Sequence, residues 1–446
     1  MLKAGQEIGL ELDSLAYGGD AVGRHQGQAV FVPYGAPGDR LRVRITEPHQ
    51  SYCRAEIIRV SEMSGHRVKP SCPHFGICGS CQWQMLEYGY QLERKAAITR
   101  DIFLRLAKLD PGEIPILPSS SQWGYRNKAQ YPVQPAPDGL RTGYYQPKSH
   151  RIVEIEICPL LESRINDTFK GLRSILTGLG IKGYDERKGS GQLRHLIIRY
   201  SRLQDAVSLT LVTSQGQDLT ETAQLIGRDL PRVSSLWQNV NPSRGNTIIG
   251  SDWRNLGGAE YHQEEIGGLR YQVSPGSFLQ TNLVTTESFY RKIVECLNLG
   301  PGETAADLYS GVGSIALQLA GRCRLVTGIE EFPLAVEDAK ANARLNGITN
   351  CRFLCGSTEQ KIAALQRTDA VVLDPPRQGA APGVIRAVAG LKPSRIAYLS
   401  CNPSTLARDA ARLTEEGYAL KKLFLGDMFP HTYHIELLAI FLPGGK

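Results

Sequence analysis

The stretch TAADLYSGVGSIALQLA, residues 304–320, decides the fold of the C-terminal part of the chain. A short apolar run ends near the carboxylate of Asp307. Tyr309, Gly311 and Gly313 follow in a turn, and an apolar helical pattern starts at Ser314, so the segment reads strand, tight turn, helix. Glycines let main-chain amides approach a ligand, and a helix start favours an anionic group beside it. The next apolar run, LVTGIE, closes on Glu330, 23 residues after Asp307, where a carboxylate can accept two ribose hydroxyls. With Ala316 the turn also fits the relaxed Gly-x-Gly-x-x-Ala pattern of dinucleotide-binding enzymes, so this stretch alone leaves NAD open.

Outward from this unit, apolar strands near Ala305, Leu325, Arg352, Ala370, Arg395 and Leu420 alternate with helical segments. Such alternation predicts a Rossmann-like, doubly wound α/β domain with a mostly parallel sheet. Residues 418–425 and 433–442, joined by a turn at 428–431, predict a closing antiparallel pair. The fourth strand, DAVVLDPPR, ends in Asp374-Pro375-Pro376, a rigid turn common in methyltransferases and foreign to dehydrogenases. That turn makes S-adenosylmethionine the better cofactor.

Ligands of open parallel sheets bind outside the carboxyl ends of the strands. Asp307, Glu330, Asp374 and Cys401, the last in LSCNPSTLARD, all fall at such ends. An antiparallel last strand brings its beginning to the same rim, and with it Glu436 of HTYHIE. A thiolate adding at C6 of uracil turns the weakly nucleophilic C5 into an enolate carbon able to attack a methyl group, after which a base must remove the C5 proton. Cys401 and Glu436 supply those two groups. A cysteine after an apolar strand is more often packing, but a carboxylate interrupting IELLAIFL is costly without a task or a partner.

Upstream, short apolar segments at 8–12, 29–32, 40–45 and 54–60 alternate with glycine turns, which predicts a small antiparallel barrel over residues 1–61. Residues 62–268 mix helical stretches (87–109) with strands (195–200 and 206–213), and residues 269–446 carry the parallel-sheet pattern. Cys72, Cys78 and Cys81 have the spacing Cys-x5-Cys-x2-Cys, and Cys158, followed by Pro159, is a fourth candidate ligand. Four converging thiolates fit either a tetrahedral zinc or a [4Fe-4S] cubane.

These features resemble the S-adenosylmethionine-dependent RNA (uracil-5-)-methyltransferases over nearly the whole chain, the barrel resembling a TRAM domain of the OB type. The resemblance implies Cys401 as nucleophile and Glu436 as proton acceptor. It implies Gln280 of SPGSFLQTN as a cofactor ligand beside Tyr309, Glu330 and Asp374, with Asp307, Gly311 and Ser314 shaping that site. It also implies that Cys72, Cys78, Cys81 and Cys158 hold an iron-sulfur cluster rather than zinc, a version typical of the 23S rRNA 5-methyluridine enzymes. The expected substrate is therefore 23S rRNA, with tRNA the alternative and amino-group methylation of a nucleic acid a more distant one. Ser314 stands where many members have Asn or Thr, and Ser357 where an acidic or amide residue often meets adenine. Tyr125-Arg126-Asn127-Lys128 and Leu193-Arg194-His195 also resemble family segments, and their bases are candidates for phosphate contacts.

Composition agrees with that partner. The formal charge is +7, and between Arg164 and Arg202 nine Lys or Arg face three Asp or Glu, an excess that favours a polyanion. No run of 18 apolar residues is present, and neither a membrane nor an obligate protein partner is called for. A cytoplasmic address is expected, where the ten cysteines are thiols, ligands or catalysts rather than disulfides.

Overall fold

The computed structural model describes residues 2–137 and 139–444. Strands β1 (Glu7–Leu15), β2 (Ala21–His25), β3 (Gln28–Val32), β4 (Arg40–Pro48) and β5 (Tyr52–Glu62) close a barrel in the order β1-β2-β3-β5-β4. Alternation builds it: Ile8, Leu10 and Leu12 of β1 and Leu41, Val43 and Ile45 of β4 point inward, while their neighbours face water. The expected barrel is present, with one strand more than the four apolar segments indicated. β2 is only five residues long and holds Arg24 and His25, so it lacks an apolar signature.

The central region opens with α1 (Tyr88–Ile102), which continues into a π-helical turn (Phe103–Ala107), and then β6 (Ile116–Leu117). After it come β7 (Lys128–Ala136), β8 (Gly139–Tyr145), β9 (Ile152–Glu154), α2 (Ser163–Gly178), β10 (Leu193–Ser201), β11 (Ala206–Thr213), α3 (Thr220–Asp229), β12 (Val233–Val240) and β13 (Asp252–Gly258). Strands β7 to β13 form one sheet, in the order β13-β12-β11-β10-β7-β8-β9. α2 lies against it through Ile165, Phe169, Leu172 and Leu176, one stripe at helical spacing. A hairpin of β14 (His262–Ile266) and β15 (Leu269–Val273) leads into the last region.

There α4 (Leu283–Leu297), β16 (Thr304–Leu308), α5 (Ser314–Ala320), β17 (Leu325–Glu330), α6 (Pro333–Leu345), β18 (Cys351–Cys355), α7 (Thr358–Lys361), β19 (Ala370–Leu373), α8 (Pro382–Gly390), β20 (Arg395–Ser400), α9 (Pro403–Glu415), β21 (Tyr418–Gly426) and β22 (Glu436–Pro443) follow in turn. The sheet runs β18-β17-β16-β19-β20-β22-β21-β6, which is the doubly wound order expected, with β16 and β19 at the switch point. β22 is antiparallel to both β20 and β21.

Two details depart from expectation. β22 starts at Glu436 rather than at 433, because Thr432 donates its hydroxyl to the Phe429 carbonyl and accepts from the His434 amide, which keeps the chain in a turn. The sheet edge is the two-residue β6, supplied by the central region and paired in parallel with Leu425 and Gly426.

One hydrophobic core is continuous from Leu12 and Val30 of the barrel through Trp83 and Phe103 to Leu373 and Tyr398 of the sheet. The barrel is thereby seated against the sheet rim. Among the described residues, no helix is long and apolar enough to cross a membrane.

Candidate active site

The rim assembles from strand ends. Asp374 directly follows β19 and donates its amide to the Leu308 carbonyl (3.3 Å). Cys401 directly follows β20, and Asn402 then caps α9 by accepting from the Ser404 amide (3.0 Å). The Asn402 side chain also donates to the Arg377 carbonyl (3.2 Å), tying the cysteine loop to the Asp-Pro-Pro turn. Glu436 is the first residue of β22, opposite Gly426. Gln280, Phe289, Tyr290, Asp374, Met428 and Glu436 line the wall of one pocket. Cys401 stands outside that wall, within electrostatic reach of Glu436 and Asp374.

Burial and crowding set the charges. The Glu436 carboxyl is pushed up to about 8, first by burial and then by Asp374, while Arg377 and Lys95 pull it down. Burial, followed by Glu436, raises the Cys401 thiol to about 11, against which Arg377 acts by charge and by a hydrogen bond. Burial alone lifts Asp374 to about 6. Burial is the first cause for all three acids, Asp374 adds to it at Glu436 and Cys401, and Arg377 is the cation that opposes both of those shifts.

On the nucleotide side, Gly311 donates its amide to a Glu330 oxygen (2.9 Å), and the Phe332 amide binds the other (2.8 Å). Tyr309 has φ +66°, unusual for a residue with a Cβ, and a Cβ placed on Gly311 would meet nothing within 4 Å, so open space lies over the turn. Asp307 is wholly buried, accepting from the Ala316 amide (2.9 Å) with one oxygen, while the other has no partner among the described residues. Burial, Asp374 and Glu330 push it up to about 8, although the Ala316 amide opposes them. It braces the glycine turn from behind. The Ser314 hydroxyl is engaged by Tyr290 (2.8 Å), and Ser357 precedes the short α7, whose Thr358 shares a cleft with Tyr309. A carboxylate at a strand end, an open glycine turn and an unpartnered buried oxygen fit S-adenosylmethionine.

In the sequence 76 residues lie between Cys81 and Cys158, yet Cys72, Cys78, Cys81 and Cys158 border one hollow, walled by Phe75, Tyr144 and Leu160. All four are free thiols. Burial, and then the other thiols, raise Cys81 to about 12 despite a hydrogen bond from Gln84. Burial is likewise the main cause that lifts Cys158 to about 11. Such a set ionises only with a cation among it. Among the described residues no three His, Cys, Asp or Glu side chains converge tightly enough for a single metal ion.

Sequence reading missed several rim residues. Arg377 was visible only as the residue after Asp-Pro-Pro. Tyr17 comes from the barrel, with its hydroxyl 3.4 Å from the Cys401 carbonyl, and its ring lies edge-on to Tyr433 at 5.7 Å. Lys95 and Asp427, both fully buried and 2.7 Å apart, carry no motif at all. Phe278, two residues before Gln280, is 65% exposed, which is unusual for an aromatic beside a pocket.

A family model for tRNA (uracil-5-)-methyltransferases matches residues 263–442, and one for the TRAM domain matches residues 2–58. An uncharacterised RNA methyltransferase of Halalkalibacterium halodurans is 37% identical, the match covering 97% of this chain and 96% of the relative. This chain belongs to the RNA (uracil-5-)-methyltransferase family. As a member, the methyltransferase depends on S-adenosylmethionine and acts on RNA. An uncharacterised RNA methyltransferase of Gloeobacter violaceus is 36% identical over 98% of this chain and 97% of its own length. Among solved structures, the tRNA (uracil-54, C5)-methyltransferase of Pyrococcus abyssi, in complex with S-adenosyl-L-homocysteine, superposes with a TM-score of 0.78 at 28% identity. That match covers 98% of this chain and all of the archaeal one. The expected fold class, TRAM barrel and enzyme family are thus all borne out.

Proposed function

We propose that this methyltransferase makes 5-methyluridine through a covalent adduct between Cys401 and C6 of the target base, with Glu436 as the base that removes the C5 proton. The observation that carries the reading is the shared rim: a cysteine beside Arg377 and a raised carboxyl reached from opposite strand directions. Cys401, ionised next to Arg377, adds at C6, and the pyrimidine double bond shifts its electrons toward O4. Bound S-adenosylmethionine supplies an electrophilic methyl group, held by Gln280, Tyr309, Gly311, Glu330 and Asp374. C5 would attack that methyl carbon, forming the new carbon–carbon bond as the methyl–sulfur bond breaks and S-adenosylhomocysteine is left. Glu436 then takes the C5 proton, the C5–C6 double bond re-forms and Cys401 leaves as thiolate. A carboxyl near 8 is a stronger base than an exposed one and suits this step near neutral pH.

We read the chain as three units, 1–61, 62–268 and 269–446, with RNA lying across the first two and the target uridine swung out of its stack. A cleft between barrel and α1, lined by Arg24, Arg94, Arg105, Phe31 and Tyr17, combines charge with stacking faces and leads toward Cys401. Exposed Phe278 offers another such face. Cys72, Cys78, Cys81 and Cys158, which line one hollow, would hold a [4Fe-4S] cubane in which each thiolate takes its own iron. A cluster-bearing member with a basic middle region points to 23S rRNA, in the cytoplasm, before tRNA.

The direct test is transfer of labelled methyl groups to rRNA and tRNA prepared from cells lacking the enzyme, followed by nucleoside analysis. Label in 5-methyluridine from 23S rRNA supports the reading. Label only in tRNA moves the substrate, and label on an exocyclic amine overturns the chemistry.

A further inference from the structure

The loop that carries three of the cysteines also grips the turn that leads to Glu436. The His431 carbonyl accepts two backbone hydrogen bonds, from the Gln82 amide (3.1 Å) and the Trp83 amide (3.0 Å), the residues directly after Cys81. His431 is buried and has φ +67°, a conformation that a residue with a Cβ holds only when its surroundings insist on it. It lies five residues before Glu436. The neighbouring Pro430 carbonyl accepts from the hydroxyl of Tyr125 (3.1 Å), a residue within electrostatic reach of Cys81 and Cys158. The same loop reaches the barrel, since the Trp83 indole donates to the Gly19 carbonyl (3.0 Å).

The loop itself holds little order of its own. Residues 72–84 contain turns and an isolated bridge but no helix or ladder. Its local bonds are turn bonds and side-chain bonds: the Phe75 amide to the Cys72 carbonyl, the Ile77 and Cys78 amides to the His74 carbonyl, the Cys72 amide to the Gln84 side chain, and the Gln82 side chain to the Gly79 carbonyl. A loop of this kind takes its rigidity from the group that joins its cysteines. Gln82 follows Cys81 without an intervening residue, so any movement of that cysteine is passed directly to the donor of the His431 carbonyl.

We propose that the four-cysteine centre is a positioning device for catalysis: through the Gln82 and Trp83 amides it fixes the His431 turn and hence the Glu436 carboxylate. Gln82 and Trp83 are positioning residues in this scheme, acting through Glu436 without touching the base. Loss of the centre leaves cofactor binding and thiolate addition in place and slows proton removal, so the methylated enzyme–RNA adduct outlives its normal span. The inference rests on the covalent reading above.

The test uses holoenzyme, Cys158→Ser and Gln82→Pro, with unmodified substrate RNA and labelled S-adenosylmethionine, and reads methylated adduct surviving denaturation. Cys158 makes no bond to the turn, and Gln82→Pro keeps all four cysteines while deleting the amide donor to His431, together with the side-chain bond to Gly79. Both variants are expected to bind cofactor as the holoenzyme does, to resolve the adduct about 100-fold more slowly, and to exchange the amides of 427–436 faster. Glu436→Gln is the reference that should trap the same adduct. If it traps adduct while both variants turn over normally with unchanged exchange, positioning by the centre is wrong and the covalent reading stands. Failure of Glu436→Gln to trap any adduct overturns the covalent reading itself. Loss of cofactor binding in both variants assigns the centre to the fold at large and also overturns the inference.

Discussion

The hydroxyl of Tyr17, in the barrel, donates to the carbonyl of Cys401 at 3.4 Å across 384 residues of sequence. A barrel attached only as an RNA clamp would have no reason to touch the loop of the proposed nucleophile. Tyr17→Phe removes that bond and keeps the ring contact with Tyr433. The expected result is a fall of about threefold to tenfold in kcat/KM for RNA, the worth of one hydrogen bond, with unchanged S-adenosylmethionine affinity in calorimetry.

Arg377 is the cation that opposes the acids around Cys401. Arg377→Gln should therefore slow alkylation of Cys401 by iodoacetamide at pH 8 by at least about tenfold, the change for one unit of thiol pKa. Peptide mass spectrometry separates Cys401 from the exposed Cys355, whose rate should not change.

The Glu436 carboxyl, raised to about 8, predicts a pH dependence with a definite sign. The base is the carboxylate, so release of tritium from 5-tritiated uridine should rise with pH and level off above about 8, and Glu436→Gln should abolish it. Stability runs the other way. Between the ordinary carboxylate range and about 8 the folded protein keeps a proton that the unfolded chain has lost, so stability falls as pH rises through that window. Glu436→Gln should flatten that decline in thermal unfolding between pH 5 and 8.

Lys95 and Asp427 form a wholly buried pair, with the ammonium also donating to the Phe429 carbonyl (3.2 Å). Burial lowers the Lys95 pKa and Asp427 opposes that shift. Lys95→Met leaves Asp427 charged and unpaired and should destabilise the protein by about 3–5 kcal/mol. Lys95→Met with Asp427→Leu should recover much of that loss in urea unfolding, since the uncompensated charge is gone.

How far the sequence could be read follows from these residues. Asp307, Glu330, Asp374 and Cys401 end apolar runs, so their common rim followed from strand periodicity and the parallel-sheet rule. Glu436 was reached because it breaks an apolar strand. β2 escaped because Arg24 and His25 break its apolar run, and β6 because two residues are too short to show a period. Tyr17, Lys95 and Asp427 escaped because they act across unit boundaries, where pairing is a property of tertiary packing and leaves no local mark. The hold of Gln82 and Trp83 on His431 is made by backbone amides, which every residue but proline has, and no sequence pattern can announce it.

The central claim is covalent chemistry at C5 of uridine by Cys401. The measurement that tests it most directly is incubation of the protein and S-adenosylmethionine with 5-fluorouridine-substituted RNA from cells lacking the enzyme, followed by denaturing electrophoresis. Fluorine cannot leave as a proton does, so a methylated protein–RNA adduct should accumulate with the native enzyme and vanish with Cys401→Ala. Absence of that adduct, in protein shown to bind both cofactor and RNA, would contradict the account.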